Sequence, residues 1–153
     1  VTTDLEALGQ AIKRAQHRNH RTMDAALREV GISLVQWDAL RAVARLPGAS
    51  GHELALATFQ SDQAFGTLAT RLVERGLITR SAGRGRRLEH ALTEAGRAAL
   101  ADGRRLSVGV LQDLFAPLGE EQRNDLLRLL QDLLGGDARR SPVEDAQEPP
   151  CRS

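Results

Sequence analysis

Between residues 31 and 76 the chain is punctuated by helix starts and stops so closely that no long element fits. Gly31 follows an apolar-periodic run and reads as a C-terminal cap. Ser33-Leu-Val-Gln36 has the capping-box pattern, in which a hydroxyl serves the N3 amide and the N3 side chain reaches back. It predicts a helix over about 34–45 that buries Val35, Val43 and either Trp37 or Leu40, and Pro47-Gly48 stops it. Ser50-Gly-His-Glu53 repeats the box and opens a short helix over 53–58. Ser61 and Asp62 start another, with Phe65, Leu68 and Leu72 on one side, ending at Gly76. Two short helices joined by so tight a turn make a helix-turn-helix.

On either side the period changes. Leu77-Ile78-Thr79 and Leu88–Leu92 are short, apolar runs that pair as a β-hairpin around a loop holding Gly83 and Gly85. Upstream, Leu5, Leu8, Ile12, Ala15, Met23, Ala26 and Val30 mark one face of a long helix over 5–30. Downstream, Thr93 caps a helix that runs to about Phe115, with Glu94 in the first turn where the helix dipole favours it. After Pro117-Leu118-Gly119 a last helix carries Leu126, Leu127, Leu129, Leu130, Leu133 and Leu134. That stripe is wider than a lone surface helix needs, and it predicts a subunit partner. Residues 135–153 lose the apolar pattern, hold three of the five prolines, and read as a disordered tail.

A chain of 153 residues has room for one substantial core. With aromatics at 3%, that core is built from Leu, Ala and Val. The net charge of +1 hides an asymmetry: nine arginines against four acidic residues between Arg71 and Arg105, a local excess of five. Four of them, Arg80, Arg84, Arg86 and Arg87, crowd the hairpin with no carboxylate between them. The only cysteine is Cys151, so no internal disulfide forms, and no apolar run approaches membrane-spanning length. A cytoplasmic protein is expected. No phosphate loop, nucleophile elbow or paired-carboxylate motif is present, so neither enzyme chemistry nor a cofactor is expected. His17 and His20 at i, i+3 do not complete a metal site.

The string "ELALATFQSDQAFGTLATRLVERGLITR", residues 53–80, resembles the MarR family of transcription regulators. The resemblance rests on Glu53-Leu54-Ala55, Ser61, Leu68, Leu72, Arg75-Gly76-Leu77-Ile78 and Arg80, at the family's spacing. "LTEAGRAAL", residues 92–100, is similar to the family's start of the helix after the wing. With the helix layout the resemblance covers residues 5–134. It implies a mainly α fold with a small β-hairpin wing, a winged helix-turn-helix with long N- and C-terminal dimerisation helices. Residues 1–30 and 93–134 would dimerise and 31–92 would form the DNA-binding lobe. The chain departs from the pattern in three places: Thr58-Phe59 replaces a common Leu-Gly pair, Gly66 interrupts the recognition helix, and the wing lacks its usual Asp.

The implied function is a homodimeric repressor on a pseudo-palindromic operator. Base contacts are expected from Ser61, Asp62, Gln63, Gly66, Thr67, Thr70 and Arg71, with Asp62 either capping the helix or accepting from cytosine. Arg84, Arg86 and Arg87 suit a narrow minor groove, while Arg80 orders the hairpin base. The family's small anionic aromatic effectors imply a cleft to which His17, His20, Arg21, Trp37 and Arg41 are candidates. Trp37 as a core residue is the competing reading. Peroxide-sensing relatives use a cysteine in the first helix, and none stands there. Two other readings compete with the regulator: a degenerate member acting as a protein-interaction module, and a sequence-indifferent DNA architectural protein.

Overall fold

The computed structural model describes residues 2–85 and 87–135. Arg86 and the tail with Cys151 therefore lie outside the described residues. The chain divides into two compact units, one through Leu114 and one from Phe115 on. In chain order the elements are α1 (Leu5–Arg28), α2 (Leu34–Arg45), α3 (Gly51–Ala57), α4 (Asp62–Glu74), β1 (Ile78–Ala82), β2 (Leu88–Leu92), α5 (Glu94–Phe115) and, in the second unit, α6 (Glu120–Gly135).

The predicted punctuation is realised bond by bond. Both capping boxes close: Ser33 Oγ accepts from the Gln36 amide while Gln36 reaches back, and Ser50 and Glu53 do the same. Gly31, at φ +80°, ends α1 in a Schellman turn, its amide donating to the Arg28 carbonyl and the Ile32 amide to that of Leu27. Gly76, at φ +70°, repeats this after α4. β1 and β2 pair antiparallel, with Ile78 opposite Leu92, Arg80 opposite His90 and Ala82 opposite Leu88. Thr93 caps α5 by accepting from the Gly96 amide and donates its own hydroxyl to the Gly76 carbonyl at 2.6 Å.

The core gathers Leu27, Leu40, Leu54, Phe65, Leu72 and Ile78, all but fully buried, each contributing about 1.5–3 kcal/mol by removal from water. Trp37 and Leu40 are both buried, so the choice between them dissolves. Val35 is not buried: it stands 40% exposed at the first turn, where the stripe of Ala39 and Ala42 runs out to solvent. On α1 the expected face turns as well. Leu5, Leu8 and Ile12 are exposed, and the buried positions are Met23 and Leu27. In the second unit α6 buries nothing, and Leu127, Leu129, Leu133 and Leu134 are more than half exposed. Among the described residues no helix is long and apolar enough to cross a membrane.

Two glycines let α5 lie on the first unit's core. A Cβ at Gly96 would fall on the Leu77 carbonyl, and one at Gly103 on the Trp37 indole. Across that contact Trp37 Nε1 donates to the Leu100 carbonyl at 3.2 Å.

On β2, His90 is 4% exposed and its Nδ1 lies 3.2 Å from the Ala49 carbonyl, which makes Nδ1–H the donor. The ring meets Phe65 edge-on at 6.1 Å. Burial is the main cause that pushes the His90 pKa down; the Ala49 carbonyl opposes it and Arg80 adds to it. A histidine depressed in the folded state leaves the unfolded chain binding more protons below its ordinary value of about 6.5. Stability is therefore complete above that value and falls as pH drops from there toward the folded pKa. Urea midpoints measured at pH 7.5 and 5.5 are expected to fall for the wild type and to fall less for His90→Gln.

Candidate nucleic-acid interface

The α4 sequence has a buried apolar face and an exposed face on which Ala64 and Val73 stand among polar residues. Phe65, Ala69 and Leu72 are buried and Leu68 half-buried, whereas Ser61, Asp62, Gln63, Gly66, Thr67, Thr70 and Arg71 are all exposed. Ser61 is the N-cap, its Oγ accepting from the Ala64 amide, which leaves its own proton to donate outward. The hydroxyls of Thr67 and Thr70 bond back to the Gln63 and Gly66 carbonyls, so Thr67 presents its methyl. Thr70 Oγ1 also accepts from Arg80 at 3.2 Å. Arg80 thus ties the hairpin base to the recognition helix, as expected of it, and holds Thr70 on that side.

Asp62 does not cap the helix. The cap needs an extended residue just before the helix, and Ser61 (φ −69°, ψ 157°) occupies it. The Asp62 carboxylate instead faces His52 Nδ1 at 2.9 and 3.1 Å, joining α3 to the start of α4. The turn between these helices keeps its form despite Phe59. That residue takes φ +56° where a glycine would be at ease, with the Gln60 amide on the Ala55 carbonyl and its own amide on that of Leu56. The left-handed conformation costs about 1–2 kcal/mol in a non-glycine residue, and the phenyl ring is 99% exposed.

The wing's arginines divide. Arg84 is exposed at the tip beside Gly85, whose φ of +68° suits the turn. Arg87 is drawn back: its guanidinium donates to Glu53 Oε2 at 2.8 Å and to the Gly48 carbonyl at 3.1 Å. It braces the hairpin against the start of α3 rather than standing free at the tip. The Ser50 amide is the main cause holding the Glu53 carboxyl below its ordinary pKa, with Arg87 adding to it.

The five effector candidates fall on two surfaces. A cleft of about 510 Å³ between α1, α2 and α5 is lined by His20, Trp37 and Arg41, together with Asp38, Arg45 and Arg104. His17 and Arg21 lie instead along an open groove formed by α1 alone. Trp37 is itself a core residue, 5% exposed, with the Arg41 guanidinium 4.7 Å above its ring. A ligand cannot stack there without moving Arg41. Arg41 also meets Asp38 at 3.3 Å, and burial is the main cause raising the Asp38 pKa, with Arg41 opposing. Asn19 Oδ1, on the same cleft, is buried without a hydrogen-bond partner. Asp38, Arg41 and Arg45 were readable as one polar stripe at helical spacing; Asn19 and Arg104 join only through packing. Among the described residues no group of His, Cys, Asp or Glu is arranged to hold a metal ion.

This geometry has close counterparts. A MarR family model matches residues 30–87. The HTH-type transcriptional repressor Rv2887 of Mycobacterium tuberculosis is 34% identical over 117 residues, spanning 72% of this chain and 81% of the repressor. Among solved structures, a probable transcriptional regulator from Pseudomonas aeruginosa superposes with TM-score 0.73 at 29% identity, over 82% of this chain and 95% of its own. Rv2887 in complex with p-aminosalicylic acid gives 0.70 at 28% identity, over 82% and 97%. The same protein in complex with DNA gives 0.70 at 26%, over 82% and 96%. The capped recognition helix, the braced wing and these likenesses agree: the chain belongs to the MarR family of winged helix-turn-helix transcription regulators.

Proposed function

We propose that the protein is a cytoplasmic homodimeric repressor that binds a pseudo-palindromic operator, leaves it when a small aromatic carboxylate enters the α1–α2–α5 cleft, and catalyses no reaction. In this reading residues 1–30 and 93–134 form the dimerisation region and 31–92 the DNA-binding lobe. The observation that carries the DNA-binding half is α4 itself, a helix with Phe65, Ala69 and Leu72 on a buried face and its polar residues exposed, flanked by a braced arginine wing. Ser61 donates to the phosphate backbone, Gln63, Thr67 and Arg71 read base edges, and Arg84 and Arg86 enter the minor groove. Two-fold symmetry places the half-sites about 10 bp apart or a multiple of that.

Gly66 gives a direct test. A Cβ there would meet nothing within 4 Å, so the fold has no need of the glycine. Its absent side chain serves a surface outside the chain, the floor of the major groove. Gly66→Ala is expected to stabilise the protein by about 0.5–1 kcal/mol in urea unfolding, while weakening operator binding about tenfold by loss of close approach. Tighter or unchanged binding would remove Gly66 from the interface.

The effector half rests on the cleft and on the relative, Rv2887, whose structures hold p-aminosalicylic and salicylic acid. The carboxylate pairs with Arg41, lifting it from Trp37, and the ring lies against Met23, Leu34 and Leu111. Because Trp37 is the only tryptophan, salicylate is expected to change the protein's emission and to lower its affinity for operator DNA together. In Arg41→Ala the salicylate Kd should rise about tenfold through loss of a charge-assisted bond, with operator affinity preserved.

A further inference from the structure

We propose that Arg75 is a positioning residue that sets the spacing of the two recognition helices, by tying the end of α4 to the corner between α1 and α2. The proposal rests on the regulator reading above. Arg75 is the last residue of the α4 cap, and its fork spans two acceptors on other elements. One nitrogen donates to the Gly31 carbonyl at 2.7 Å and the other to Gln36 Oε1 at 2.8 Å. That corner is itself stiff. Gln36 Oε1 also accepts from the Ser33 amide, and Asp24 on α1 accepts from the Leu34 amide at 2.8 Å and from Arg28 at 2.8 Å. The Leu34 amide is the main cause holding the Asp24 carboxyl below its ordinary pKa, followed by Arg28.

Phe65, Ala69 and Leu72 hold α4 to the core by non-directional apolar burial, and His52 and Arg80 tie it to α3 and β1, but neither reaches the corner between α1 and α2. The two bonds of Arg75 are directional and fix the angle of α4 relative to α1. In turn α1 carries Leu5, Leu8 and Ile12 exposed, an apolar stripe for the second copy of the chain in the homodimer. A continuous path thus runs from the dimer contact through α1 and Arg75 to the helix that meets DNA. Lysine has a compact ammonium on a flexible stem in place of the planar fork, so it does not hold the two acceptors at a fixed angle. Because Arg75 is exposed, its loss leaves the core intact.

The test uses the half-sites that full-length wild-type protein selects from a randomised duplex pool. Duplexes step their spacing by one base pair, and a single half-site serves as reference. Wild-type affinity is expected to drop about tenfold one step from the optimum, and in Arg75→Ala and Arg75→Lys to drop only about threefold or less, a relief of about threefold or more that matches the loss of at least one hydrogen bond. Single-half-site binding should stay within about twofold of wild type, since apolar burial still presents the helix. A variant with the wild-type spacing profile, or one weakened equally on every duplex including the single half-site, overturns the positioning role alone. A wild-type protein indifferent to sequence overturns the regulator reading, and this proposal with it.

Discussion

The indole of Trp37 occupies the space where a side chain at Gly103 would stand, and the way α5 lies on the core depends on that missing side chain together with the one at Gly96. With it, the Trp37 N–H finds the Leu100 carbonyl, Gly96 slides over Leu77, and Thr93 closes the joint by bonding to Gly76 at the end of the recognition helix. The same contact leaves the outer face of Trp37 to Arg41 and so creates one wall of the polar cleft. Core packing and cleft wall are two sides of one ring. A larger residue at position 103 would disturb both, at about 1–3 kcal/mol for overpacking.

The recognition helix is held by an unusual number of polar braces around a small apolar face. His52 engages its first residue, Arg80 its middle and Arg75 its end, while Arg87 secures the neighbouring wing to Glu53. Three of these braces are arginines from the cluster that the composition made conspicuous. Much of that positive charge is therefore spent on geometry, and the part left for DNA is smaller than a count of arginines implies. Gly66 and Phe59 work against stability in the same region, the one through backbone entropy and the other through a left-handed conformation. Departures from local preference at one site are expected where function constrains the chain.

What the sequence revealed is what local chemistry decides. Ser33 with Gln36 and Ser50 with Glu53 close their capping boxes within four residues, Gly31 and Gly76 end helices, and the apolar runs at 77–79 and 88–92 pair as a hairpin. Where the partner is distant, local pattern was silent or misleading. Arg87 looked like a tip residue because Glu53 lies 34 positions away, and Asp62 looked like a cap because His52 is ten residues upstream. Val35 matched the apolar pattern but stands 40% exposed at the first turn. Phe59 shows the reverse case. An unfavourable residue was accommodated because the bonds from Phe59 and Gln60 to the preceding helix hold the turn regardless.

Recognition of a particular DNA sequence by this chain underlies every role described above. Fluorescence anisotropy with a duplex from just upstream of its own gene, against a scrambled duplex at two salt concentrations, measures that most directly. Tight binding to the upstream duplex alone, weakening as salt rises, is expected. Equal affinity for both duplexes, or no binding at low salt, would contradict it.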